Sequence, residues 1–301
     1  MTKSIEVSFE LDSEKIKTMK NKQKRILINR FISNKRALFG SIIIGIILLL
    51  SVFVDFIVPY DPNATDVQSR LQPPGAEHFF GTDNFGRDLL SRVIYGIRIS
   101  AIVGFSTTIL SCIIGLIIGL YASYYKRLDN LLMRMMDGFM AFPATLLAIA
   151  IVAALGPSVR NLIICLTIVF VPSVARIVRS SALVAKEQTF VQAMSSLGAS
   201  DTRIIWKHIM PNTLSALIVQ ATFVFSEAMI IEAALSFLGA GVPEPTASLG
   251  NLLSAGKLFI YNSWWMTLFP GLALALAILG AYFLGDGLRD LMDSKTRKAK
   301  K

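Results

Sequence analysis

The sequence predicts an all-α integral membrane protein of six transmembrane helices, and three observations carry that reading. Of 301 residues, 53% are hydrophobic and only 17% charged, where a soluble domain carries about 25%. The apolar residues gather in runs too long for the core of a soluble protein. Leu38 to Val58 spans 21 residues with Asp55 as its one charge, and at about 1.5 Å per residue it crosses the hydrocarbon of a bilayer. Finally, lysine and arginine alternate in density between successive loops, 24 falling on one side of the six spans and 6 on the other.

Along the chain, residues 1–36 form a basic polar tail, with a short amphipathic helix expected around Ile26 to Ile32. Residues 37–293 form the membrane domain. Its first span, 38–58, ends at Pro59-Tyr60-Asp61-Pro62-Asn63, and an outer loop runs to about Gly96, broken by Pro and Gly until Asp83 and helix-like beyond it. The second span, 99–125, has no charge, and Tyr125 to Asn130 make a tight inner turn. The third, 134–158, is expected to kink at Phe142-Pro143, and the fourth, 161–181, at Pro172. Arg176 and Arg179 are expected to snorkel to the inner interface, and Arg134 to pair locally with Asp137. Gly115 and Gly119 have the spacing that lets helices pack closely. The fifth span is 214–239, and a turn-rich outer segment follows it to about Asn262. The sixth, 263–285, opens with Trp264 and Trp265, suited to an interfacial aromatic belt. Residues 294–301 are a basic tail.

The charge asymmetry is the positive-inside pattern. It implies a multi-pass protein of the cell membrane with both termini in the cytoplasm. The net charge of +10 is then an orientation signal beside an anionic leaflet rather than a nucleic-acid footprint. No signal peptide is expected, since the first apolar run lies behind 36 polar residues and is too long for an h-region. Cys112 and Cys165 both fall in apolar spans, and His78 and His208 fall on opposite sides of the membrane, so neither pair suggests a disulfide or a metal centre. The chain carries no phosphate-binding G-x-x-x-x-G-K-[ST] loop, no H-E-x-x-H and no G-x-S-x-G. It reads as a non-enzyme without a cofactor of its own. If ATP drives it, a separate subunit must bind the nucleotide.

Two places could carry function. Phe190, Ala193, Met194 and Leu197 recur at helical spacing on one face between spans four and five; Thr189 is the expected N-cap and Gly198 the expected C′ residue. Ser200 then caps a second short helix that turns Ile204, Ile205 and Ile209 inward and stops at Pro211. Two short helices joined at a glycine, between spans, suit a docking element for a soluble partner. The other place is the fifth span, where Glu227 and Glu232 are the candidate translocation-pathway residues, because an ionisable group at mid-membrane costs at least about 2.5 kcal/mol. The competing reading is a protonated or hydrogen-bonded glutamate at a helix contact. Five residues apart, the two lie about 140° apart around a helix, so both cannot face one pathway squarely.

The 190–211 segment resembles the cytoplasmic loop of permease subunits of binding-protein-dependent ABC importers, with Ala193, Gly198, Ile209 and Pro211 in the positions of that pattern. Gln192 stands where the family has an acidic residue, Met194 where it has a second alanine, and Met210 where it has a leucine. Gly81-Thr82-Asp83-Asn84-Phe85-Gly86-Arg87-Asp88, Glu232 to Gly239 and Gly285 to Asp290 are similar to stretches of the peptide and nickel branch. Glu232-Ala233-Ala234 mimics the loop motif, but lies within an apolar run. The resemblance implies a type I ABC importer permease fold and ATP-driven import of short peptides by alternating access, or of nickel or a metal chelate. It implies a second, similar permease chain, two ATPase subunits holding ATP and Mg, and an extracellular binding protein. Phe190, Gln192, Ala193, Met194, Leu197, Gly198, Ile209 and Pro211 would form the ATPase-coupling loop. Readings from other classes are an ion-driven secondary transporter, which favours paired intramembrane charges, and an intramembrane enzyme, which needs a nucleophile and base on one side.

Overall fold

A computed structural model describes residues 29–292; residues 1–28 and 293–301, with the basic tail, lie outside them. The described chain is helical throughout its regular structure. Its first membrane helix, α1 (Lys35–Val52), begins at Asn34, whose side chain accepts the N–H groups of Arg36 and Ala37 at 3.0 and 3.2 Å. This satisfies donors that the first turn leaves without partners. Next comes α2 (Leu89–Tyr124), a 36-residue helix that Asp88 caps. Three short-loop connections then lead through α3 (Lys126–Met140), α4 (Ala144–Leu155) and α5 (Val159–Lys186). A short α6 (Thr189–Ser196) and a 37-residue α7 (Asp201–Phe237) follow. On the opposite face α8 (Leu249–Gly256) precedes α9 (Trp265–Met292).

Five of these helices are long and apolar enough to cross a membrane, and α3 with α4 makes a sixth crossing if the pair is one span. That pair is bent by 89°, far beyond the kink expected at Phe142-Pro143. The proline removes a backbone donor and pushes its predecessor out of the α region, so the helix restarts at Ala144. By contrast, α5 continues through Pro172. Pro211 also lies within a helix rather than ending one. Six residues ahead of it, Ile204–Ile209, form a π-helical turn, and this wider turn accommodates the ring that would otherwise meet the carbonyl four residues back. The expected short helix and fifth span are therefore one rod.

Small residues set how closely the rods approach. A Cβ on Gly115 would lie 2.6 Å from Val174 Cγ1, and one on Gly119 2.6 Å from the Ala175 carbonyl oxygen. In this way α2 lies against α5 nearly backbone to backbone. On the other flank Gly287 of α9 meets Ala37 of α1, where a Cβ would come within 2.5 Å. One apolar core joins α2, α5 and α7 through Leu120, Leu166, Phe170, Val178 and Val224; a second joins α1, α2, α7, α8 and α9 through Ile47, Val93, Phe225, Leu252 and Trp265. Trp264 is half exposed. Trp265 instead is 5% exposed and donates from its indole nitrogen to the Thr82 carbonyl at 3.2 Å.

That bond anchors the outer loop, in which Asp83, Arg87, Asp88 and Arg92 are buried rather than solvated. Asp83, 2% exposed, accepts from Arg87 Nε at 2.6 Å and from the backbone N–H groups of Phe85 and Arg87. Arg92, 1% exposed, approaches the same carboxylate at 3.5 Å and donates to the Pro62 carbonyl at 3.0 Å. Asp88 accepts from Ser91 while His78 Nδ1 lies 2.8 Å from its other oxygen. At the exposed rim of the loop, the Ser69 hydroxyl and the Gln68 N–H hold the Asp66 carboxyl below its ordinary range. Removing Asp83 would leave two arginines buried without their carboxylate. Asp83→Ala is expected to destabilise the protein by about 3–5 kcal/mol, whereas Ala at the exposed Glu77 should change stability by less than about 0.5 kcal/mol. Thermal unfolding of both variants in detergent checks the contrast.

Candidate functional site

The helix α6 is built to project. Gln188 takes the N-cap position that the sequence reading gave to Thr189, with no side-chain cap bond. At the other end Gly198 N–H donates to the Ser195 carbonyl at 3.0 Å and Ala199 N–H to the Met194 carbonyl at 3.1 Å. This is a Schellman closure with Gly198 at C′. Gly198 has φ +75° and open space where a Cβ would stand, so any side chain there is penalised by backbone strain alone. Ser200 is the N-cap of α7, as expected, but its side chain makes no cap bond.

The face that docks onto the bundle is narrow. Val191 is 3% exposed and, with Met194 beside it, packs into the core of Ile204, Ile205 and Ile209. Those three isoleucines are buried, as their spacing predicts. Phe190 and Leu197, by contrast, are 44% and 77% exposed, and Gln192 and Ala193 are exposed with them. An apolar rim thus points away from the spans.

Both ends of α6 are tied to helices that run the depth of the protein. Lys186, at the end of α5, donates to the Ser123 and Tyr124 carbonyls at 3.3 and 3.1 Å, closing the end of α2. Tyr124 and Tyr125 donate their hydroxyls to the two oxygens of Asp201 at 2.8 and 3.1 Å, fastening the first turn of α7 to the same point. Sequence reasoning missed this junction, since the partners lie 77 and 76 residues apart; the one signal was an adjacent tyrosine pair closing an apolar run. It also left out the partners of the α5 arginines. Arg179 makes two bonds to Asp129, at 2.5 and 2.6 Å, and Arg176 one to Asp137 at 2.6 Å. They clamp α3 to α5, and Asp137 pairs across helices rather than with Arg134.

The two glutamates of α7 occupy opposite surroundings. Glu232 is 0% exposed; its oxygens accept from Ser100 at 2.7 Å and Ser236 at 2.8 Å. The same serine oxygens accept the Leu249 and Val242 N–H groups. Glu232 thereby locks the 240–249 turn and the start of α8 to α2 and α7. The turn itself leads into a helix the sequence reading left irregular, with Ser248 and Asn251 forming its capping box. Glu227 is exposed and, among the described residues, has no ion pair or hydrogen-bond partner. It borders a chamber of about 260 Å³ at the α3–α4 break, walled by Phe139, Phe142, Leu147, Phe170 and Ser173. The bent pair forms one side and α5 the other. Glu232→Ala should orphan two buried hydroxyls and lower stability by about 2–3 kcal/mol, while Glu227→Ala, which removes a carboxylate without such partners, should not lower it; detergent thermal melts of the two variants measure the difference.

Comparison with known proteins joins these features. Residues 111–298 match the family described as binding-protein-dependent transport system inner membrane component, and residues 23–74 match the N-terminal TM domain of oligopeptide transport permease C. A Brucella suis protein named for a peptide transport system permease is 49% identical over 90% of this chain and 92% of its own. The dipeptide transport system permease protein of Alkalihalophilus pseudofirmus is 44% identical over 88% and 87%, and the di/tripeptide transport system permease of Pseudomonas aeruginosa 39% over 89% and 91%. The MetNI methionine ABC transporter in inward facing conformations shares the fold, with TM-score 0.55 at 22% identity, covering 67% of this chain and 97% of that one.

Proposed function

The chain belongs to the family of binding-protein-dependent transport system inner membrane components, and from that premise we propose that it is the permease through which an ATP-driven importer passes short peptides into the cell. The peptide substrate is supported by the names of relatives matched over nearly the whole chain, and nothing comparable favours nickel or a metal chelate. In this reading the chain pairs with a second, similar permease. It rests on two ATPase subunits that hold ATP and Mg, and it receives substrate from an extracellular binding protein. Hydrolysis belongs to those ATPases, and this chain contributes no cofactor site.

The exposed apolar rim of α6 carries the coupling assignment. Phe190 and Leu197 stand out from the spans, while Lys186 and Asp201 bind the two ends of the loop to α2. A groove on an ATPase that grips this rim moves α5 and α7 with it, because a helix tied at both ends transmits displacement instead of absorbing it. Glu227 and its chamber border the path that opens and closes, and the 24-to-6 basic asymmetry sets both termini and α6 in the cytoplasm.

Two experiments test this. With Cys112 and Cys165 replaced, a cysteine at Ala76 should label from outside and one at Ser294 only after the membrane is opened; the reverse order would sink both the topology and the docking. In reconstituted complexes, Gly198→Val adds at least about 1 kcal/mol of strain, and Ala193→Asp puts a charge on the rim. Each is expected to leave the chain inserted but to uncouple substrate-stimulated ATPase activity from uptake or to loosen the ATPase in co-purification, while Gln192→Glu is tolerated. Normal uptake by both damaging variants would remove α6 from the coupling role.

A further inference from the structure

Of the acidic groups on the membrane helices, Glu232 is engaged by two serines and Asp137 by Arg176. Glu227 has no such partner among the described residues, although it faces a walled chamber. The arginines of the neighbouring α5 cannot serve it, because Arg176 and Arg179 are already paired on the α3 side. A carboxylate held at this depth without a counter-charge is costly, and the chamber offers only one hydroxyl, that of Ser173, besides it. Three phenylalanines, Phe139, Phe142 and Phe170, line it together with aliphatic side chains. The electron-rich face of a phenyl ring attracts an organic cation and repels an anion. The two features therefore favour the same ligand charge.

We propose that Glu227 is a cation station that receives the primary ammonium group of a peptide in transit, with the phenylalanine faces enclosing that end of the chain. The assignment rests on the peptide-importer reading and adds to it the orientation and chemistry of the passing substrate. The chamber, at about 260 Å³, lies below the roughly 300–1,000 Å³ of a pocket for a drug-sized ligand, so it houses one end of a peptide and leaves the remainder free. A bare divalent metal ion is a poorer occupant, because the described residues contain no group of three or more His, Cys, Asp or Glu side chains able to hold one.

The test uses the purified transporter complex in nanodiscs, carrying Leu147→Cys on the chamber wall in a background without Cys112 and Cys165. Maleimide labelling of that cysteine is followed against alanyl-alanine, N-acetyl-alanyl-alanine and N-acetyl-lysyl-alanine, without the binding protein. Alanyl-alanine is expected to protect, and its acetylated form to require about tenfold more or to fail, the scale of one charge-assisted hydrogen bond. Protection by alanyl-alanine alone assigns the terminal amine; protection by the lysyl peptide as well assigns the ammonium wherever it is carried. Glu227→Gln should abolish the preference and Glu227→Asp retain part of it. Equal protection by all three peptides, or a preference that survives Glu227→Gln, overturns the proposal. Uptake by the unmodified complex with its binding protein separates the two levels. If no peptide enters at all, the peptide reading falls, whereas uptake without an ammonium preference at Leu147→Cys defeats this inference alone.

Discussion

The contact of α2 with α5 through Gly115 and Gly119 is the constraint on which the rest of the molecule depends. In a bilayer no hydrophobic force draws one apolar helix to another, so association rests on close packing and on the few polar bonds that packing permits. Val174, Ala175 and Val178 fill the grooves those glycines leave. With α5 fixed in this way, its inner end delivers Lys186 to the end of α2, its middle offers Phe170 and Ser173 to the chamber, and Arg176 and Arg179 reach across to hold α3. The junction with α6 and one wall of the chamber beside Glu227 are thus set by a single rod.

The same economy governs polar groups at depth. Glu232 sits among hydroxyls that are themselves bonded to backbone N–H groups of the 240–249 turn, so its burial organises structure. Glu227 lies on the same helix, roughly 140° around the axis, and borders empty space at a broken span. Identical side chains thus occupy a bonded, enclosed place and an unpaired place beside a cavity, according to what stands opposite them. Broken membrane helices tolerate free backbone groups where they line a cavity, and the α3–α4 break lies beside the cavity that Glu227 borders.

At the end of the bundle that holds the 59–88 loop, the protein buries several charges where a soluble loop would expose them. Asp83 serves Arg87, Arg92 and two backbone donors at once, and Trp265 of α9 clasps the Thr82 carbonyl. A fixed outer platform joins the start of α2 to the start of α9. At the opposite end Asp201 and Lys186 play a corresponding part, tying both flanks of α6 to α2.

By itself the sequence determined the features that depend on neighbours in the chain. These are the class of the apolar spans, the burial of Ile204, Ile205 and Ile209 and the positive φ of Gly198. Periodicity and punctuation encode these locally, because helix geometry is set within a turn or two. Tertiary structure alone decided the rest. It set the 89° break where a kink was expected, the π turn that carries α7 through Pro211, the burial of Trp265 and the partners of Arg176, Arg179 and Asp201. It also decided which glutamate is enclosed. Glu227 and Glu232 sit in equally apolar stretches of the fifth span, and their difference comes from Ser100, which lies 132 residues away in the chain from Glu232 and bonds to it. No local pattern holds that information, since it depends on which rods the glycines allow to touch.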